Sequence, residues 1–109
     1  MESIKACLQY LADPDKGGSF FAALDGDKIA GGTAILKTHM SLFLPENFLV
    51  YIAVDPSYRG QGIGKKVLDF AKQELRGGIA LHVEPENPAK RLYEREGFTN
   101  KYLEMRYQP

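Results

Sequence analysis

The segment Arg59-Gly60-Gln61-Gly62-Ile63-Gly64 follows an apolar run, residues 48–54, and precedes a stretch with helical periodicity. Three glycines in six positions let the main chain come close to a ligand and turn its N–H groups toward it. A helix starting behind them points the positive end of its dipole at the same spot. Together these features suit a phosphate or a diphosphate. Lys65 and Lys66 stand in the first turn of that helix, where a cation opposes the dipole by about 0.3 kcal/mol or more. A bound anion reverses that sign.

Three phosphate-binding patterns compete for the segment. A P-loop requires glycine five positions before Gly64 and a Ser or Thr after its lysine, and Arg59 and Lys66 occupy nearly those places. A dinucleotide fingerprint starting at Gly60 requires glycine at position 65, and the sheet has one unit where two nucleotide halves need two. The bland alternative is a glycine-rich connection that binds nothing. Arg59, the paired lysines and the strand-to-helix context favour a phosphate site.

The elements around it read as follows. Ser3 can cap a helix over residues 4–12, with Ile4, Cys7, Leu8 and Leu11 on one face. A strand over 19–24, a tight turn at Asp25-Gly26-Asp27-Lys28 and a return over 29–37 make a β-hairpin. Residues 48–54 are nearly all apolar, as in a strand covered on both faces, and Pro56 stops it. The helix behind the glycines runs to about Arg76, with Ile63, Val67, Phe70, Ala71 and Leu75 as its apolar stripe. A short strand over 79–83 follows. Asn87-Pro88 starts a helix that ends at Gly97, and 102–107 is a last strand. The expected order is α-β-β-β-α-β-α-β, a mixed α/β sheet in one domain over residues 1–109.

Composition narrows the function classes. The chain has 109 residues, with 14 basic and 14 acidic, so its formal net charge is zero. Neither a nucleic acid nor an anionic membrane is the expected main partner, because both call for a basic excess. A single cysteine, Cys7, excludes an internal disulfide and a cysteine metal cluster. On the predicted helix Cys7 reads as a small buried hydrophobe. The start carries no secretory signal, and no run is long enough for a membrane span. A cytoplasmic location is expected, with no metal.

The stretch Arg59-x-x-Gly62-x-Gly64, with Val54-Asp55-Pro56-Ser57-Tyr58 leading into it, resembles the acetyl-CoA diphosphate loop of the GNAT acetyltransferase superfamily. Downstream, residues 87–98, from Asn87-Pro88 through Leu92-Tyr93 to Gly97-Phe98, are similar to that family's second motif. Both motifs occur in order and at fitting distance, and the resemblance spans roughly residues 19–107. It implies a GNAT-like fold and an acetyl-CoA-dependent N-acetyltransferase acting on a primary amine of a small molecule or peptide.

The resemblance also implies roles. Backbone amides of Arg59, Gly60, Gln61, Gly62, Ile63 and Gly64 would hold the diphosphate, with Lys65 or Lys66 assisting. The pantetheine arm would lie along Ile52, Ala53 and Val54 like an added strand. An N–H near Val54 would polarise the thioester carbonyl. Asn87 would contact the cosubstrate, and Tyr93 would give a proton to the departing thiolate. The bland reading of Tyr93 is a helix residue packed beside Leu92 and Phe98. For the base that deprotonates the amine, Glu84 is the first candidate, with Glu46, His39 or water alone as rivals. His82 is expected to pack on the sheet.

Two departures stand out. Asn87 precedes Tyr93 by six positions, one fewer than the family's commonest spacing, and Glu86 takes the aligned place. The family's usual N-terminal strand and helix have no room in this chain. Their absence would leave 19–24 as an exposed edge, from which either a homodimer or an unusually open acceptor site is expected. The apolar loop 40–45 lines an acceptor pocket, an interface or the core. A different class stays open: a catalytically idle acyl-CoA-binding regulatory module that keeps the loop but lacks a base. A nucleotide-binding module is a third.

Overall fold

The structure is a computed structural model that describes residues 6–13, 17–39 and 45–109. The apolar loop at 40–44, the Ser3 cap and the turn at 14–16 lie outside the described residues. Five strands form one sheet in the order β1-β2-β3-β4-β5. They are β1 (Ala6–Asp13), β2 (Gly18–Asp25), β3 (Lys28–Lys37), β4 (Asn47–Val54) and β5 (Ile79–Leu81). The first four pair antiparallel, and β5 pairs parallel to β4. Helix α1 (Ile63–Glu74) crosses over between β4 and β5, and α2 (Ala89–Arg95) follows.

Helix α1 covers one sheet face because its apolar stripe recurs at helical spacing. Ile63, Val67, Leu68 and Ala71 are buried against Phe21, Ile35 and Leu49. Phe21 meets Phe70 edge-on, with ring centroids 5.8 Å apart. The hairpin, the apolar fourth strand and both helices beside the glycine loop stand where the sequence places them.

Two expected elements differ. Residues 6–13 are a strand, not a helix, paired with β2 from Ala6↔Leu24 to Leu11↔Ser19. Ile4, Cys7, Leu8 and Leu11 stand at i, i+3, i+4 and i+7, so the local spacing does favour a helix. Pairing with an otherwise open strand satisfies a whole row of backbone groups, and that long-range gain outweighs local propensity. So β2 is no exposed edge: Phe21, Ala22 and Ala23 are wholly buried. Among the described residues the sheet ends on β1 and β5 instead. The second difference is at residues 102–107, which form no strand and are fully exposed. Leu103, Met105 and Tyr107 alternate with an ion-paired Glu104 and Arg106, 2.6 Å apart. The alternation is there, but no sheet edge pairs with it. The observed order is therefore β-β-β-β-α-β-α, within the same mixed α/β class.

Cys7 sits on β1, half-buried and packed against the core beneath α1. Burial pushes its thiol pKa up, with Lys66 acting weakly the other way. The neutral thiol is thus favoured by folding. That contribution is complete below the unfolded-state pKa and is lost as pH rises through the higher folded value. Alkylation of Cys7 at pH 7 is expected to run slower than that of an unstructured cysteine peptide. Faster labelling would contradict this.

Asn47, 2% exposed, opens β4 and holds the turn after α1. Its Nδ2 donates to the Arg76 carbonyl at 2.8 Å and the Gly78 carbonyl at 3.0 Å. Asn47→Ala strands the Arg76 carbonyl and leaves the Gly78 carbonyl with only the backbone N–H of residue 47, at 3.2 Å, so a loss of about 1–3 kcal/mol in urea unfolding is expected. A loss under about 0.5 kcal/mol would mean water replaces the amide.

Candidate active site

The site assembles where β4 parts from β5. Only Asn47, Phe48 and Leu49 pair with β5, at Ile79, Ala80 and Leu81. From Val50 onward β4 pairs with β3 alone. The register with β3 skips Val50, a bulge. Thr33 donates its hydroxyl to the Tyr51 carbonyl at 2.6 Å just beyond it. Ile52, Ala53 and Val54 therefore line an open strand edge, the geometry an extended ligand arm requires.

The glycine turn caps one end of that edge. Gly60 and Gly62 adopt φ of 78° and 77°, with open space where a Cβ would stand. Gly62 is the N-cap of α1, and no side chain caps the helix. The first helical bond runs from Lys66 N–H to the Gly62 carbonyl at 3.1 Å. The N–H groups of Ile63, Gly64 and Lys65 precede it in the helix and have no intrahelical acceptor. No acidic residue stands in this first turn. An uncapped positive helix end of this kind fits an anion.

Gly64 plays a different part from the other two glycines. A Cβ there would stand 2.9 Å from Leu92 of α2 and 3.8 Å from Ile52 of β4. The missing side chain lets α1, α2 and the open strand meet, which brings the two motifs to one place.

Lys65 does not face the turn alone. Its Nζ lies 2.7 Å from Asp69 and 3.6 Å from Glu96. The Asp69 hydrogen bond, then the two carboxylate charges, raise its pKa. Lys72 completes the cluster, 3.1 Å from Glu96, whose side chain is 5% exposed. These charges tie α1 to the end of α2. Arg59 and Lys66 form no ion pair among the described residues, and both are exposed.

Tyr93 is buried, 7% exposed, with its ring edge-on to Phe98 at 5.7 Å. Its ring is core, as the packing alternative expects. Its hydroxyl makes no hydrogen bond among the described residues. Burial raises the phenol pKa, so it stays protonated through neutral pH. Asn87 Oδ1 accepts from the Ala89 N–H at 2.9 Å and so caps α2. Glu84 is exposed beyond β5, and its carbonyl accepts from Asn87 N–H at 3.0 Å.

The rival bases stand elsewhere. Lys37 pairs with Asn47 and Gly31 with Val54, so His39 and Glu46 lie at the far end of β4. At roughly 3.3 Å per residue that is about 20 Å from Val54. Glu46 lies against Gly77 in the turn after α1. His82 stacks edge-on with Phe48, centroids 5.2 Å apart. On the sheet beside Val54 lies a groove of about 230 Å³ lined by Phe20, Ile29, Gly32, Tyr51, Ala53 and Asp55.

A family model described as "Acetyltransferase (GNAT) domain" matches residues 16–100. The chain belongs to the GNAT acetyltransferase family. It is 34% identical over 99 residues to mycothiol acetyltransferase of Thermomonospora curvata, covering 86% of this chain and 32% of that protein. The chain thus spans about a third of that relative's length. A Pyrococcus furiosus structure of the same fold superposes with a TM-score of 0.70 at 29% identity, over 87% of this chain and 68% of that one. The aminoglycoside N-acetyltransferase AAC(6')-Iy, solved in complex with CoA, shares the fold with a TM-score of 0.67 at 20% identity, over 85% and 67%. Within the GNAT domain, sequence reasoning missed Thr33, Asn47 and the contact of Tyr58 with Asp25. All three depend on strand register or on residues far apart in the chain, which no local pattern reports. No helix among the described residues is long and apolar enough to cross a membrane.

Proposed function

We propose that this GNAT domain transfers the acetyl group of acetyl-CoA directly to a primary amine of a small-molecule or peptide acceptor, acting as a single domain. The observation that carries the reading is the open edge of β4 running into the uncapped start of α1. Backbone amides from Arg59 to Gly64 hold the diphosphate, with Arg59 and Lys66 as the cations at hand. The pantetheine arm pairs with Ile52, Ala53 and Val54. The CoA complex of the aminoglycoside enzyme with the same fold supports acyl-CoA use.

The chemistry sets what the side chains must do. An alkylamine of pKa about 10.4 is free base in about one molecule in a few thousand at pH 7. Glu84, directly or through water, removes that proton. Nitrogen attacks the thioester carbon, a C–N bond forms and the C–S bond breaks. The N–H near Val54 stabilises the oxyanion. Tyr93 gives its proton to the departing sulfur, the acylated nitrogen sheds its surplus proton to water, from which the phenol is restored, and Asn87 holds the arm from the α2 side. Orientation of thioester and amine supplies much of the acceleration. The groove at Phe20, Tyr51 and Asp55 receives the acceptor.

The idle-module reading draws on one observation: His39 and Glu46 lie far from Val54, which leaves Glu84 or water as the base. Release of free thiol from acetyl-CoA across a panel of amines separates the two. Amine-dependent thiol release without a burst of acetyl-enzyme supports transfer. CoA binding without turnover for any amine supports the idle module.

A further inference from the structure

The turn that leads into the glycines is fixed from behind. Asp55 N–H donates to the Ala30 carbonyl at 2.8 Å, where β3 bulges against β2. Ser57 N–H and Tyr58 N–H donate back to the Asp55 side chain and carbonyl, at 2.9 and 2.8 Å. The Tyr58 hydroxyl donates to the Asp25 carboxylate, 33 residues away at the end of β2. Lys28, across the same hairpin turn, stands 5.3 Å from the Tyr58 ring centroid.

Beyond Tyr58 the anchoring thins to two long contacts, Arg59 N–H to the Pro56 carbonyl and Gln61 Nε2 to the Ser57 carbonyl, both at 3.4 Å. No backbone hydrogen bond of Gly60, Gln61 or Gly62 N–H is made among the described residues, and both glycines have open space around them. The main chain here is lightly held, and its two glycines have the most freedom to lose on ordering. Its amides are aimed by what holds its two ends: α1 on one side and Tyr58 on the other.

We infer that Asp25 and Tyr58 form a latch between the β2–β3 hairpin and the loop, positioning the amides of Gly60–Gly62 for the diphosphate of the acyl donor. The inference rests on the acetyl-CoA reading above. Both are positioning residues: they act through the loop's main chain and from the hairpin side, behind it. Releasing the latch lets the glycines sample more orientations, and binding must then reorder them. The cost falls on the diphosphate and spares the pantetheine arm, which pairs with β4.

The test compares two ligands. Coenzyme A carries the diphosphate; S-acetylpantetheine carries the same arm without it. Tyr58→Phe and Asp25→Ala are expected to weaken coenzyme A binding by about fivefold to tenfold, measured by calorimetry. The KM for S-acetylpantetheine stays within twofold of the wild-type value. Asp25→Asn keeps an acceptor oxygen and recovers most of the affinity. The double variant Asp25→Ala/Tyr58→Phe loses no more than either single one, as one shared bond requires. Coenzyme A affinity within twofold of wild type in both single variants would overturn the inference, and so would equal losses for both ligands, the mark of a general loosening. A wild-type protein that binds no coenzyme A overturns the acetyl-CoA reading and the latch with it.

Discussion

Tyr93→Phe is expected to lower kcat by about 10²–10⁴ while coenzyme A affinity stays within about twofold. The ring is core, packed on Phe98 and nearly sealed from solvent, and phenylalanine keeps that packing. What disappears is one hydroxyl with no hydrogen bond among the described residues, so the folded state loses no bonded partner. The pH dependence gives a second readout. Burial raises the phenol pKa, so the acid stays protonated past its ordinary value near 10. Wild-type kcat should therefore hold on the alkaline side to above about pH 10 and decline beyond it. The phenylalanine variant should lack that decline. A thiolate of pKa about 8.5 leaves without full protonation, which is why the residual rate is reduced and not abolished. An unchanged kcat would remove Tyr93 from the chemistry and leave it a packing residue.

Gly62→Val is expected to weaken coenzyme A binding by about 100-fold. Two effects add. The backbone at φ 77° lies in the left-handed region, which costs a residue with a Cβ about 1–2 kcal/mol, and a β-branched one more. The new side chain also enters the open space beside the loop amides. Gly97→Val makes the control, because Gly97 has φ 94° and equally open surroundings after α2. Both variants should lose comparable stability, but only the first should lose affinity. Equal coenzyme A affinity in the two would mean the loop does not hold the diphosphate.

What the sequence revealed follows from how local each signal is. The glycine turn, the helix behind it and the Asn87-Pro88 helix start are written in consecutive residues, and each stands where it was expected. The fold class followed from those elements and the apolar run of β4. The helix spacing over residues 4–12 gives way to a strand at 6–13 because strand pairing is decided by a distant partner, here β2, that local periodicity does not report. Residues 102–107 carry a strand's alternation without a strand's partner. Within the site, Gly64 reads in sequence like its two neighbours. Only the approach of Leu92 shows that it serves helix packing. Lys65 reads as a phosphate ligand, yet Asp69 one turn on and Glu96 at the end of α2 engage it. The spacing to Asp69 was visible in sequence; Glu96 was not. Tyr58 and Asp25 meet across 33 positions, with nothing in either segment to announce it.

The decisive measurement is isothermal titration of the purified chain with coenzyme A. Saturable heat at one site per chain, with affinity weakened about 100-fold in Gly62→Val and kept in Gly97→Val, is the predicted result. Absence of any binding heat in the wild-type protein, folded by its circular dichroism, would contradict the account at its root.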